Sequence, residues 1–194
     1  MKKKLFLSVY YQKASSCILN LHKENDHIIK AVNLILTTIK KNKNILVAGN
    51  GGSFSDAEHF ACELSCTFKE KRRALPAIAL GSNASSITAW SNDFGFETYF
   101  SRQVEALGKS NDILFLISTG GNPKGSPSSL NLLHALRAGK KKKMKIISLV
   151  GKGGGRLKKE SDVCIHVKHN ETSTVQEAHI TILHSICSLI DQNV

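Results

Sequence analysis

The chain has 194 residues, enough to bury one hydrophobic core and too few for two comfortable domains. Its hydrophobic content of 41% and charged content of 22% are those of an ordinary globular protein and exclude disordered and fibrous classes. No apolar run reaches the ~20 residues that a membrane-spanning helix needs. The formal net charge of +12 makes nucleic acid a candidate partner, but a small anionic substrate would account equally well for the excess positive charge.

The N-terminus invites comparison with a signal peptide, because three lysines precede the apolar residues 5–9. The apolar stretch is interrupted early by Gln12 and Lys13, and no small-residue cleavage site follows. We interpret the segment as the start of a helix, which predicts a cytoplasmic protein.

Five short apolar runs alternate along the chain with stretches of helical spacing. The runs are nearly continuous in hydrophobicity, as expected for strands covered on both faces. They predict a single α/β domain in which helices flank a five-stranded parallel sheet, with a helical arm at 1–43 and the α/β core at 44–194. The predicted strands are 44–48, 75–80, 112–117, 145–150 and 162–167, and the predicted helices of the core are 53–68, 84–91, 97–107, 126–138 and 174–190.

Five cysteines, an odd number without finger-like spacing, are expected to be reduced in a cytosolic protein. Cys62 and Cys66 lie one helical turn apart, which would allow them to bind a metal, but small, partly buried side chains are the simpler interpretation. The lysines are dispersed except at 140–143, and no aromatic residues interleave with that run. A binder of single-stranded nucleic acid is therefore not favoured.

Two glycine-rich turns each follow a predicted strand and precede a predicted helix. The first is Ala48-Gly-Asn-Gly-Gly-Ser53 and the second is Ser118-Thr-Gly-Gly-Asn-Pro123. Glycines let the backbone approach a ligand, and the helix that follows favours an anion. Such turns meet at the carboxyl ends of parallel strands, so the pair predicts a phosphate site, with tight turns alone as the alternative. Neither turn has a Walker or dinucleotide-binding pattern.

Acid–base candidates lie on the helix after the first turn and on the last helix. His59 and Glu63 are four residues apart and share a helical face. His184 lies among apolar residues, where a core histidine with a polar partner is the usual explanation. Aldose–ketose isomerisation needs a base beside the carbonyl and an acid that moves a proton between oxygens. Further polar residues of the last helix are Gln176, Glu177 and His179.

Six blocks of sequence carry a more specific signal. They are Gly49-Asn-Gly-Gly-Ser53, Asp56-Ala-Glu-His-Phe60 with Glu63-Leu64, Asn92-Asp-Phe-Gly-Phe96, Phe100-Ser-Arg-Gln-Val104, Ile117-Ser-Thr119 and Gln176-Glu-Ala-His179. In combination they resemble the phosphoheptose isomerases, which belong to the sugar isomerase (SIS) domain proteins. The similarity extends from about residue 25 to the C-terminus.

The resemblance implies conversion of sedoheptulose 7-phosphate to D-glycero-D-manno-heptose 7-phosphate, the first step toward heptose in bacterial lipopolysaccharide or capsule. It also implies a flavodoxin-like SIS sandwich and a homotetramer with active sites between subunits. Glu63 would be the catalytic base and His184 the acid, through an enediol(ate). One Zn²⁺ per subunit would be bound by His59, Glu63, Gln176 and His184. The implied substrate-binding residues are Asn50, Gly51, Gly52, Ser53, Glu63, Asn92, Asp93, Ser118, Thr119, Gly120 and Gln176.

The chain departs from the family pattern in its second turn. The family sequence is usually Ser-Thr-Ser-Gly-Asn-Ser, and here Gly120 and Pro123 replace two serines. The expected loss is two hydroxyl donors to the phosphate, each worth about 1.5–3 kcal/mol. Thr174 and Val175 also replace a common arginine.

The implied zinc ligands raise a geometric question. Gln176 and His184 are eight residues apart, about 12 Å along an ideal helix. They can bind one ion only if the helix begins irregularly or if a neighbouring subunit supplies one of them.

Three alternatives remain open at this point. The first is a non-catalytic SIS protein, like the tetrameric relative that binds the replication initiator, but Glu63 and His184 favour an enzyme. The second is an isomerase of another sugar phosphate, because of the altered second turn. The third, a nucleic-acid binder, depends on net charge alone.

Overall fold

The computed structural model describes residues 2–194, and its centre is a five-stranded sheet in which all neighbouring strands run parallel. The strands lie in the order β2-β1-β3-β4-β5. This confirms the predicted α/β class and the five strands. The strands are β1 (Ile45–Gly49), β2 (Ala77–Ala79), β3 (Ile113–Ser118), β4 (Lys145–Gly151) and β5 (Val163–Val167).

Eight α-helices occur within residues 2–194, and the two N-terminal ones form the predicted arm. Short 3₁₀ helices, Asn20–Glu24 and Phe96–Thr98, precede the second and fifth α-helices. The α-helices are α1 (Lys2–Leu19), α2 (Asn25–Lys40), α3 (Gly52–Ser65), α4 (Ala84–Phe94), α5 (Tyr99–Leu107), α6 (Leu130–Lys141), α7 (Gly155–Glu160) and α8 (Thr172–Asp191).

The sheet separates two hydrophobic cores, and alternate residues of each strand face opposite ones. In β1, Ile45 and Val47 pack in the core formed with α2, α3 and α8. Leu46 and Ala48 pack in the core formed with α5, α6 and α7. All four side chains are fully buried, which explains why the strands are continuously apolar in sequence.

In the sheet, β2 lies on one side of β1, and β3, β4 and β5 follow on the other side. The direction of the strand order therefore changes between β1 and β3, which are hydrogen-bonded neighbours. In open parallel sheets, ligands bind at the carboxyl edge at this change of direction. Both glycine-rich turns lie there.

Helix α1 packs against α8 and has no buried residue of its own. The Tyr10 hydroxyl donates a hydrogen bond to the Glu177 carboxylate. Large apolar side chains remain exposed, among them Leu5, Phe6 and Tyr11. No helix within residues 2–194 combines the length and the apolarity needed to cross a membrane.

The helix predicted at 126–138 is wrong at its start, because α6 begins only at Leu130. Ser129 has a left-handed φ of 57°, which interrupts any helix that would include it. Pro127, with no amide hydrogen, also suits a turn better than a helix. The short helix α7 was not predicted, since six residues are too few to show a helical period.

Candidate active site

The first glycine-rich turn joins β1 to α3 at the carboxyl edge of the sheet. Gly49 has to be glycine, because a Cβ there would lie 2.2 Å from the carbonyl oxygen of Ser53. Gly51 has a positive φ of 54°. Ser53 is buried in the first turn of α3, where the helix dipole favours an anion.

The second turn follows β3 and is organised around Ser118. The Ser118 hydroxyl oxygen accepts a hydrogen bond from the Gly121 amide at 3.0 Å, and Thr119 lies between the two. Gly121 packs on the backbone of Gly154, so that a Cβ would lie 2.1 Å from its carbonyl oxygen. Gly120 is different, because a Cβ built there meets no atom within 4 Å and its φ is not left-handed.

Ser129 is a residue of this site that sequence reasoning missed. Its hydroxyl oxygen lies 3.0 Å from that of Ser118, and it immediately precedes α6. A hydroxyl absent at Pro123 is therefore available at the same turn from Ser129, six residues further along the chain. The Ser-Pro-Ser-Ser cluster at 126–129, typical of a turn before a helix, is the signal that would have found it.

An amide pair ties the first turn to the start of α6. Asn50 and Asn131 donate to each other's side-chain oxygens at 2.9 and 2.8 Å. Both residues line a cavity of about 280 Å³, together with Glu97 and Ser129. The first turn, the start of α6 and the segment after α4 thus line one open pocket, which has apolar walls as well as these polar groups.

The acid–base candidates come together between α3 and α8. His59 Nε2 lies 2.9 Å from Glu63 Oε1, so Nε2 carries the hydrogen when the carboxylate is ionised. The ring centroids of His59 and His184 are 5.2 Å apart with the rings edge to face, and Phe68 stacks on His184 at 5.5 Å. The His59 and Glu63 side chains are 45% and 20% exposed, which leaves the cluster open to a substrate.

Gln176 lies beside the first turn rather than in this cluster. A Cβ on Gly52 would lie 2.2 Å from the Gln176 amide nitrogen. Asp56 also contacts Gln176, and its buried Oδ2 has no hydrogen-bond partner within residues 2–194. Burial raises the pKa of Asp56 to about 6, against the opposing influence of His59 and the Gln176 hydrogen bond. Asp56 is thus a titratable residue beside the first turn for which the sequence suggested no role.

The donor types suit zinc, since imidazole nitrogen and carboxylate oxygen are both common ligands. His59, Glu63 and His184 lie side by side, but no three His, Cys, Asp or Glu side chains in 2–194 converge as ligands of one ion. The Gln176 amide lies against Gly52. Helix α8 runs without interruption through both Gln176 and His184, so the irregular start considered from the sequence does not occur.

Two sequence-based expectations have different outcomes on α4 and α8. Asn92 and Asp93 are exposed and bonded to each other at 2.8 Å, and no hydrogen bond within 2–194 joins them to either turn. The core histidine of α8 is His179, not His184, because His179 is fully buried and His184 faces α3. Burial lowers the pKa of His179 to about 4, so its imidazole is neutral at pH 7.

Comparison with known proteins identifies the family. The SIS domain pattern matches residues 9–151. Phosphoheptose isomerase of Campylobacter jejuni is 46% identical over 165 residues, 85% of this chain and 86% of the relative. That of Helicobacter pylori is 43% identical over 84% and 82% of the two chains. The solved phosphoheptose isomerase structure from Francisella tularensis has a TM-score of 0.92 and 32% identity, and the match covers 100% of both chains. The structure from Neisseria gonorrhoeae has a TM-score of 0.89 and 33% identity, and the match covers 97% of this chain and 98% of the other. The chain therefore belongs to the phosphoheptose isomerases, aldose–ketose isomerases of the SIS domain family.

Proposed function

We propose that this protein converts sedoheptulose 7-phosphate to D-glycero-D-manno-heptose 7-phosphate, for the synthesis of bacterial heptose. The observation that carries the proposal is the His59–Glu63 pair with His184 beside it, on the helix that leaves the first glycine-rich turn. An acid, a base and an anion site thus belong to adjoining elements. The names of the relatives support the heptose substrate.

The phosphate binds between the two turns. Ser53, Ser118, Thr119 and Ser129 supply hydroxyl groups there, and the dipole of α3 favours the negative charge. The sugar contacts the amide and backbone groups around the cavity next to Ser129. The residues proposed for the sugar are Asn50, Gly51, Gly52, Asn92, Asp93, Gly120 and Gln176.

Glu63 and His184 carry out the proton transfers. Glu63 removes the proton from the carbon beside the carbonyl, which produces the enediol(ate). His184 carries a proton between the two substrate oxygens, and Phe68 stacked on its ring fixes its orientation. When no metal is bound, His59 donates to Glu63 Oε1 and holds the carboxylate in place.

We also propose that His59, Glu63 and His184 hold one zinc ion per subunit. Bound zinc would polarise substrate oxygens as a Lewis acid. For Gln176 to be a fourth ligand, it must come from a neighbouring subunit, because eight residues of continuous helix separate it from His184.

A homotetramer with active sites between subunits agrees with this requirement. The exposed apolar face of α1, with Leu5, Phe6 and Tyr11, offers a contact surface between subunits. The proposal places the enzyme in the cytoplasm and needs neither a membrane nor nucleic acid.

The proposed function is tested with purified protein and sedoheptulose 7-phosphate, with product detected by a coupled kinase assay. We expect interconversion of the ketose and the aldose. Activity only on another ketose phosphate would support the alternative substrate, and no activity on any six- or seven-carbon ketose phosphate would contradict the enzyme proposal.

Restoring the family serine at position 120 is expected to strengthen phosphate binding. In Gly120→Ser, the new hydroxyl meets no obstacle and adds one charge-assisted hydrogen bond. We expect KM to fall about tenfold at unchanged kcat, since such a bond is worth about 1.5–3 kcal/mol. Steady-state kinetics measures both constants.

Ser129→Ala is the matched change in the opposite direction and should raise KM by a similar factor. Ser128→Ala is the control, because the Ser128 side chain is exposed and only its backbone is bonded: the carbonyl accepts from Asn122 and the amide donates to the Ser126 hydroxyl. If KM is the same in all three variants, the phosphate lies elsewhere.

Removal of zinc by a chelator is expected to lower kcat by at least about tenfold, because a Lewis acid contributes several kcal/mol to the transition state. The melting temperature should also fall, since the ion binds only the folded state. Elemental analysis, calorimetry and recovery with added Zn²⁺ check this. His59→Gln should lose the metal and His22→Gln, on an exposed histidine, should keep it. A metal-free protein with full activity contradicts the zinc proposal.

A further inference from the structure

The edge of the sheet opposite the candidate active site, where the strands begin, carries most of the excess positive charge of the chain. Ile45 pairs in register with Ile113, which pairs with Lys145, so β1, β3 and β4 begin at one level. The three turns that enter these strands, 40–43, 109–112 and 140–145, contain nine lysines. We call them the amino-edge lysines: Lys40, Lys41, Lys43, Lys109, Lys140, Lys141, Lys142, Lys143 and Lys145.

Backbone hydrogen bonds hold the three turns against each other. The Asn111 amide donates to the Lys143 carbonyl at 3.0 Å, and the Ile113 amide donates to the Asn44 carbonyl at 2.9 Å. Because neighbouring strands are about 4.8 Å apart, the beginnings of β1 and β4 are separated by about 10 Å. This separation is close to the Debye length at physiological salt, so the lysines act together as one charged surface.

Few negative charges oppose this surface. Asp112 is the one acid in the three turns, and its buried carboxylate accepts from the amides of Asn44 and Lys109, both at 2.9 Å. Within residues 2–194, none of the amino-edge lysines forms an ion pair. The turn before β5 has two lysines and two acids and adds no net charge. Nine lysines and one aspartate therefore account for eight of the twelve excess positive charges of the chain.

Interactions within the fold do not explain these lysines. Lysines in the last turn of a helix stabilise its dipole, which accounts for Lys40, Lys140 and Lys141. The other six lie beyond the helix ends. Lys143 has a left-handed φ of 59°, where glycine or asparagine is preferred. Since mutual repulsion destabilises the folded state, charges without an internal partner indicate an external one.

We propose that the amino-edge lysines bind the surface of an anionic phospholipid bilayer. Clusters of lysine are attracted to anionic headgroups, whereas arginine, absent from the three turns, is favoured for bidentate recognition of nucleic-acid phosphates. The lysines follow helices on both faces of the sheet, α2 on one and α6 on the other, so they cover an area instead of lining a groove along a strand. Repulsion between like charges prevents the same surface from pairing with a second copy of the chain.

This binding is independent of the proposed isomerase activity. The glycine-rich turns lie at the carboxyl edge of the sheet, so a protein attached by its amino edge keeps the candidate site open to solvent. The attraction is electrostatic and reversible, and it weakens as salt is added.

Co-sedimentation of the full-length protein with vesicles tests the proposal. In about 0.1 M salt, we expect binding to vesicles of phosphatidylglycerol and phosphatidylcholine in equal parts, and none to phosphatidylcholine alone. Each lysine near such a surface contributes about fivefold in affinity. Replacing four exposed amino-edge lysines with glutamine should therefore lower the affinity at least about 100-fold. The four are Lys41, Lys109, Lys141 and Lys145.

The matched control removes the same charge elsewhere, by glutamine at the exposed residues Lys13, Lys30, Lys71 and Lys168. It should bind anionic vesicles nearly as well as the unmodified protein. Equal losses in the two variants would show that only net charge matters, and this would contradict the proposal. Failure of the unmodified protein to bind anionic vesicles would contradict it as well.

Acetylation of the unmodified protein on and off vesicles gives the orientation without any variant. Mass spectrometry should show that the amino-edge lysines are acetylated at least about fivefold more slowly on vesicles, while Lys13 and Lys168 are unaffected. Protection of another surface would overturn the proposal. Tighter binding to a DNA duplex than to the vesicles at the same salt would make nucleic acid the partner instead. Neither measurement uses isomerase activity, so both outcomes are independent of the proposed function.

Discussion

Replacing Glu63 with glutamine is expected to lower kcat by about 10²–10⁴-fold, the range that a positioned general base contributes. Glutamine keeps the size of the side chain and an oxygen that can accept the His59 hydrogen bond, but it cannot take a proton. The assay on sedoheptulose 7-phosphate measures the effect, and size-exclusion chromatography checks that the assembly is unchanged.

Glu58→Gln is the matched control, because Glu58 lies on the same helix with an exposed side chain and has no proposed role. Its kcat should equal that of the unmodified enzyme. Zinc content should be measured in both variants, since Glu63 is also a proposed ligand. Full activity of Glu63→Gln would remove Glu63 from the mechanism, and a loss that added Zn²⁺ restores would leave it only as a ligand.

Replacing Asp191 with alanine is expected to lower the free energy of unfolding by about 3–5 kcal/mol, the cost of breaking a buried ion pair by removing one partner. The carboxylate accepts from Arg72 Nε at 2.7 Å and from the amides of Lys69 and Glu70 at 2.9 and 3.1 Å. The Arg72 and Asp191 side chains are only 4% and 2% exposed. Without Asp191, a buried guanidinium has no counter-ion.

Urea denaturation followed by circular dichroism measures this change. Glu105→Ala is the control, because it removes an exposed partner 3.7 Å from Arg102 and should change stability by less than about 0.5 kcal/mol. Similar small losses in both variants would show that the buried pair has little effect on stability.

The same carboxylate gives the stability a pH dependence at the acid end. Burial alone would raise the pKa of Asp191, but the hydrogen bonds from Arg72 and two backbone amides outweigh it and lower the pKa below its ordinary 3.8. A lowered pKa stabilises the fold fully above the unfolded value and less as the pH falls through the folded value. The contribution of Asp191 is thus complete at neutral pH and is lost below about pH 4.

The elements that the sequence predicted well are those whose signal is local. The strands are apolar at every position because both faces of the sheet are covered, and their runs stand out for that reason. The turn before α3 and the pair His59 and Glu63 lie within fifteen residues of each other, so spacing alone relates them. The two glycine-rich turns could be placed side by side because parallel strands end at one edge.

The contacts that could not be placed from the sequence join distant segments of the chain. Gln176 lies against Gly52, which is more than 120 residues away, and only the packing of α8 on α3 brings them together. His184 has apolar neighbours in sequence, but the phase of the helix turns it toward His59 and buries His179 instead. An apolar period of 3.6 residues indicates a buried stripe along a helix, but it does not show which residues beside that stripe face a neighbouring helix.

The contact between the Ser129 and Ser118 hydroxyl groups has a consequence for the evolution of such enzymes. A donor at the first residue before a helix is fixed by where that helix docks, not by how much chain precedes it. Residues can be added to or removed from the exposed segment before Ser129 while the hydroxyl keeps its place, at a small entropic cost. A change in loop length can then alter the access of substrates to the site while the anion-binding hydroxyl is kept. A comparison that counts serines position by position will therefore miss enzymes that keep this hydroxyl at a different position.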